Sequence, residues 1–478
     1  MLFISLFMAC PKTAEVETPV EQAPAFDRSV RPAPLEASNF ELPKMETGTL
    51  SNGMEVVVVE NHEIPVVQVR AIFTTGDWSD PAGQEGLVTA TMDMLNEGAG
   101  DMDALEISAA LRKMASSVST GSSSDTATVR ADSLVKHLEP TLDIWAQVWL
   151  EPTFPDSEWE RIQKQYLLDL EASRKDPNSM AWTVTDRLLY GDSYDGRSWS
   201  EESLGAVDTE SMAAWHQAHL VPANGTILVG GDITLAEILP LLEERVGSVA
   251  PGEPTEAPSF AGTQPTETTI YLVDKPGAAQ SVVQAVRFVD GRAEDGYWPV
   301  VVGNTAWGGM FMARLNMNLR EDKGYTYGAR SSIYEGAGGA LWVASSSVQS
   351  EVTAPAMAEL FKELSEVQEP RPLSADEIAY AKSNRVLGYP GAFETVDYLL
   401  SSRSEVWRYG LASDWEEQYI PSVRAVSPEA AQAAFVEQVA SQPLLVTVVG
   451  DLASIQESVE ALGYPVVVLD VDGNVVED

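Results

Sequence analysis

Cysteine is nearly absent: the 478-residue chain contains one, Cys10. No internal disulfide can form, so stability has to come from buried apolar surface. Histidine is almost as scarce, with only His62, His137, His216 and His219. His216 and His219 stand three apart, a spacing that suits two ligands on one helical face, but no carboxylate accompanies them. They read as surface or packing residues, as do His62 in a turn and His137 at a helix start beside Glu139. The serines include no G-x-S-x-G elbow. Positive charge is also thin: 30 Lys and Arg face 72 Asp and Glu, a net charge of −42. Such a chain repels nucleic acid and anionic lipid at long range, and the excess reads as a solubilising surface. What is plentiful is apolar material, 44% of residues, enough for a globular chain of two to four ordinary domains.

The place of the single cysteine carries information. It closes "MLFISLFMAC", an apolar run too short to cross a bilayer, with Ala9 just before it. That resembles the end of a bacterial lipoprotein signal segment, in which the cysteine becomes the lipidated first residue. The expectation is a signal segment at 1–10, lipidation of Cys10, and a periplasmic, lipid-anchored location in the cell envelope. No thiol is then left for catalysis. Residues 11–44, rich in Pro, Ala and Glu without apolar periodicity, read as a disordered tether.

The body contains a repeat. "LSNGMEVVVVEN" and "IPVVQVRAIFTTGDW" are paired strand-like runs. "GLVTATMDMLNEGA" and "ALEISAALRKMASSV" follow with helical spacing, then the strand-like "SDTATVRADSL", then amphipathic helices, the last stopping before Pro177. "NGTILVGGDI" closes this half. After the Pro/Gly/Thr-rich stretch 251–268 the order recurs, from "TIYLVDKPGAAQSVVQAVRFV" to the closing "PLLVTVVGDL". The expectation is an α+β fold with domains at 45–250 and 269–478. Each is a mixed, mainly antiparallel sheet flanked by helices.

Four stretches together carry a family resemblance: "LSNGMEVVVVEN", "GDWSDPAGQEGL", "HLVPANGTILVGGDI" and "RLNMNLREDKGYTYGARS". They resemble the pitrilysin/insulinase family of zinc metallopeptidases, the inverzincins. The resemblance implies two homologous domains enclosing a chamber for unfolded peptides. It also implies an H-x-x-E-H helix in the first: two imidazoles hold zinc, the Glu polarises its water, and a later helix gives an acidic ligand. Aligned on "GL", that motif falls on "TATMD". Thr89 and Asp93 stand at the histidine positions, Met92 at the glutamate, and Asp169 near the acidic ligand. Thr89 is a poor zinc ligand, Met92 cannot move a proton, and two carboxylates alone make a weak hard-cation site. No metal is expected in this chain.

"LREDKGYTYG" is retained. The resemblance makes Arg320 and Tyr327 a pair that binds the substrate backbone and steadies the oxyanion. Their plain alternatives are an Arg salt-bridged near Glu321 and Asp322, and a Tyr packed on a strand. Relatives of this size often work as heterodimers in which one subunit supplies zinc and the other the Arg/Tyr segment. The leading expectation is therefore a non-catalytic subunit of a zinc-bearing insulinase-like partner, acting in peptide degradation or processing. The alternatives are a peptide-binding or scaffold protein and, last, an independent metallopeptidase using Asp93 and Asp169.

Overall fold

A computed structural model describes residues 40–258, 261–336 and 338–476. Cys10 and nearly all of the 11–44 tether lie outside the described residues. Two six-stranded sheets form the frame. The first runs, edge to edge, Met45–Thr49, Glu55–Glu60, Gly225–Gly231, Val66–Phe73, Ala127–Leu134 and Ser117–Ser122. The second runs Val466–Leu469, Thr269–Asp274, Leu445–Gly450, Gln280–Val289, Ala340–Gln349 and Thr326–Tyr334. Five consecutive positions correspond, strand for strand. The closings "NGTILVGGDI" and "PLLVTVVGDL" occupy the same slot, each parallel to one neighbour and antiparallel to the other. Only the outermost strand differs. In the first sheet Met45–Thr49 pairs antiparallel, and in the second Val466–Leu469 pairs parallel. Both are therefore mixed sheets flanked by helices, in an α+β arrangement.

Local chemistry explains most element ends. Ala127–Leu134 alternates buried and half-buried residues, the signature of a strand with one covered face. The helix Ala104–Met114 opens on an Asp103/Glu106 capping box and stops at Ala115, which adopts a left-handed conformation (φ 52°). The apolar period in "ALEISAALRKMASSV" extends past that point, but Ser117 and Val118 already belong to the edge strand. The amphipathic helix Asp156–Ser173 stops before Pro177, and Pro177 has a second role. It is the first residue of a further helix, Pro177–Tyr190, capped by Asp176, whose carboxylate accepts from the Ser179 amide at 2.8 Å.

That helix does not pack on its own half's sheet. Met180, Ala181 and Val184 are buried against Val273, Val282, Val449 and Leu469 of the second sheet. Thr185 and Thr447 share a buried hydroxyl hydrogen bond of 2.8 Å. The equivalent helix of the second half, Val396–Arg408, does the reverse: Val396, Leu399 and Leu400 cover Val59, Ile72 and Leu228 of the first sheet. Arg70 of the first sheet donates to Asp397 at 2.7 Å, and Arg408 donates to Asp125 at 2.5 Å. The halves thus exchange one helix each. Burying each large apolar side chain contributes about 1.5–3 kcal/mol, so much of each sheet's cover comes from the other half.

Candidate functional site

The chain leaves Val66–Phe73, turns through residues 74–86, and enters the helix Leu87–Met94. Asp80 fixes that entry: its carboxylate oxygens accept from the Gly86 and Val88 amides, each at 2.8 Å. Burial pushes Asp80 up to about 7 despite those two bonds. Gly86 adopts φ 101°, where a side chain would be strained and would press on Leu204 and Trp199. The turn and the helix start are thus firmly built.

The helix itself is mostly core. Met92, which the sequence resemblance aligns with a catalytic glutamate, is fully buried in the main apolar cluster. Thr89 faces a small polar knot, its hydroxyl 3.1 Å from that of Ser122 and 3.4 Å from the Asp77 carboxylate, which also accepts from Ser122 at 3.2 Å. Burial pushes Asp77 up to about 6. One turn on, Asp93 accepts a 2.6 Å hydrogen bond from the Tyr166 hydroxyl. Burial first, then Asp93, holds that phenol protonated, above its ordinary range.

Asp169 lies on the same helix as Tyr166, Asp156–Ser173, and accepts from Gln165 at 2.8 Å. Asp93, Tyr166 and Asp169 line one open groove of about 680 Å³, which also runs along the edge strand at Ser117–Thr120. So three of the four degenerate positions, Thr89, Asp93 and Asp169, hydrogen-bond to protein groups, and the fourth, Met92, is core. Among the described residues no cluster of three or more His, Cys, Asp or Glu is placed to hold a metal. This donor set does not fit zinc. No imidazole reaches it, and where a water-polarising carboxylate would stand there is a thioether in apolar packing. Asp77 and Ser122 complete the knot and Tyr166 holds Asp93, and none of the three belongs to a motif read from sequence. The signal for Tyr166 was its place three residues before Asp169, on the same helical face.

The histidines lie elsewhere. His216 Nε2 is 2.6 Å from the Trp149 carbonyl oxygen, and burial lowers its pKa. His219 stacks on Trp215 with centroids 5.1 Å apart and meets the Thr75 hydroxyl at 3.2 Å. Both are packing residues. His62 bonds Asp232 at 2.7 Å, and that bond raises its pKa. His137 immediately precedes the helix Leu138–Leu150.

In the second half, Met317–Asp322 winds as a wider π-helical turn, carrying Arg320. Gly324 (φ 68°) then turns the chain into the strand Thr326–Tyr334. That strand shifts register between Thr326 and Ala329, and Tyr327 within the shift is 90% exposed. It is therefore not a packing aromatic. Arg320 lies 3.3 Å from Glu321 and 4.7 Å from the centre of the half-exposed Phe311 ring. Among the described residues, no hydrogen bond or ion pair joins Arg320 or Tyr327 to the Thr89–Asp93 helix or to Asp169.

Comparison with known proteins follows this division. Residues 55–194 match the model of the insulinase family, peptidase family M16, and residues 206–385 match the model of the peptidase M16 inactive domain. A Bacillus subtilis relative described as "Uncharacterized zinc protease YmxG" is 24% identical over 298 residues, 61% of this chain and 71% of its own. A Helicobacter pylori relative described as "Non-peptidase homolog YmxG" is 19% identical over 274 residues, 57% of this chain and 63% of its own. The crystal structure of a peptidase M16 inactive domain from Pseudomonas fluorescens superposes with a TM-score of 0.78 at 22% identity. It covers 85% of this chain and 98% of its own.

Proposed function

The chain belongs to the insulinase (M16) peptidase family, and we propose that it is a non-catalytic subunit pairing with a zinc-bearing insulinase-like partner. In this reading the partner supplies metal and hydrolytic water, and this chain supplies Arg320 and Tyr327. The observation that carries it is the contrast between the two half-sites: the zinc helix has been absorbed into packing and hydrogen bonding, while Tyr327 is held out at 90% exposure beside a cationic Arg320. An exposed phenol with no burial of its own contributes little to this fold. Against a carbonyl under attack, a phenol and a guanidinium can donate hydrogen bonds to the developing oxyanion.

The reading extends to a lipid anchor at Cys10 and a periplasmic position in the cell envelope. The test is reconstitution with a zinc-bearing family member from the same organism. The chain alone should cleave no peptide and bind no stoichiometric zinc. The mixture should cleave, and Arg320→Ala or Tyr327→Phe should lower its kcat by about 10²–10³-fold, the usual cost of losing one oxyanion donor. Full activity of a mixture carrying both changes would rule out a shared site. A second reading, a peptide-holding protein without a role in catalysis, draws support from the open groove beside the edge strand. A tagged copy that never co-purifies with a zinc peptidase would favour it.

A further inference from the structure

Away from both half-sites, a cavity of about 300 Å³ opens where the two halves meet. Its walls include Trp182, Asp186 and Tyr190 from the exchanged helix, Asp195 from the following turn, and Tyr334 and Glu335 at the end of a second-sheet strand. Trp182 and Tyr334 meet edge to face with centroids 6.1 Å apart.

The two aspartates are left without partners. Neither Asp186 nor Asp195 accepts a hydrogen bond or forms an ion pair among the described residues. The guanidinium on this side, Arg408, is engaged by Asp125 at 2.5 Å. Glu335 is satisfied differently, by the Arg292 amide at 2.9 Å and the Arg292 guanidinium at 3.7 Å. Burial first, then the neighbouring aspartate, pushes Asp186 up to about 7; burial likewise pushes Asp195 up to about 6. Half-buried carboxylates without a full compensating charge are costly, and Arg408, the guanidinium that acts on Asp195, is already shared with Asp125. Aromatic faces around such a pair favour a positive group with an organic stem over a bare hydrated ion.

We propose that this cavity binds an organic cation, an alkylammonium or guanidinium group, with Asp186 and Asp195 as its counter-charges and Trp182 and Tyr334 as its walls. The two sources of that chemistry are a free amine and a Lys or Arg side chain of a peptide. The proposal concerns this chain alone and does not depend on a zinc-bearing partner.

Titration calorimetry on the full chain decides it, at about pH 8, above the range in which both carboxylates ionise. The probes are 1,5-diaminopentane, agmatine, an Arg-containing peptide and its citrulline counterpart, with calcium chloride and 1-pentanol as controls. Saturable binding of an amine or of the Arg peptide is expected, with no binding of pentanol or the citrulline peptide. Asp186→Asn and Asp195→Asn keep the shape of the side chains, and each should weaken binding about tenfold while the fold is retained. Tighter binding of the peptide than of either small amine would identify a peptide side chain as the occupant, and the reverse a free amine. No saturable binding of any organic cation, calcium binding as tightly, or unchanged affinity in the Asp186→Asn/Asp195→Asn chain would overturn the proposal.

Discussion

Met92, which the family resemblance aligns with a catalytic glutamate, is a structural residue here. On the Leu87–Met94 helix its thioether is fully buried, among Leu87, Val88 and Met94 in the main cluster. A glutamate there would lose its hydration with no cation to meet it, because the neighbouring polar knot is already closed by Asp77, Thr89 and Ser122. Met92→Glu is therefore expected to destabilise the chain by about 2–5 kcal/mol, the range for burying an unpaired charge. Equilibrium urea unfolding measures this directly, and a midpoint unchanged from the parent would show that the position still opens to a solvated site. The same contrast limits what sequence could give. That Thr89 and Met92 cannot serve zinc was legible from their chemistry. That Asp93 would be held by Tyr166, and Thr89 by Asp77 and Ser122, depends on which elements fold against the helix, and no local pattern encodes it.

At the level of elements, the repeat was readable because strand order follows the chain and each closing motif carries its own stop. Gly230 and Gly231 in "GGD" each have a physical task. Gly231 adopts φ 125°, and a Cβ there would meet the Val66 carbonyl oxygen at 2.0 Å. Gly230 lies under the exchanged helix, where a Cβ would come within 2.7 Å of Val396 and 3.1 Å of Leu400. The glycine pair announced a strand stop, but its second use was hidden, because the helix it admits comes from 165 residues further along (231 to 396). Pro177 was legible as the stop of one helix, at Ser173, but not as the first residue of the next. Gly230→Val should push the Val396–Arg408 helix off the first sheet and weaken it by about 2–4 kcal/mol, as overpacking of a close contact does. The check is whether thermal unfolding followed by hydrogen exchange loses protection in the Val66–Phe73 strand and in the Val396–Arg408 helix together. Loss in one without the other would mean that the halves are not coupled through this contact.

Across the whole molecule the dominant fact is acid excess, a net charge of −42, and several of those acids are placed where ionisation works against the fold. Burial raises Asp77 and Asp195 to about 6, and Asp80 and Asp186 to about 7. A raised carboxyl pKa means that the folded state holds its proton more tightly than the unfolded state does. The stability each contributes is complete below the ordinary carboxylate value of 3.8 and is lost as pH rises through 6 to 7. Other acids work in the opposite sense, Glu359 and Glu377 most strongly. Hydrogen bonding from Asn318 is the largest influence on Glu359; at Glu377 burial is the largest single influence, but the bonds from Arg314 and Ser374 together outweigh it, so both lie at about 2. Their contribution is present above 4.5 and fades as pH falls toward 2. The two sets together place maximum stability near about pH 4–5, with a decline on either side. Mutual repulsion among the surplus carboxylates steepens the alkaline side. Melting temperature by calorimetry should therefore fall by at least about 5 °C between pH 5 and pH 8. Asp186→Asn, which removes one of the buried titrations without changing the shape of the cavity wall, should flatten that fall. A melting temperature that rises across the interval would mean that these carboxylates are ionised and well solvated in the folded chain. It would also remove the reason for a cation to enter the cavity between the halves.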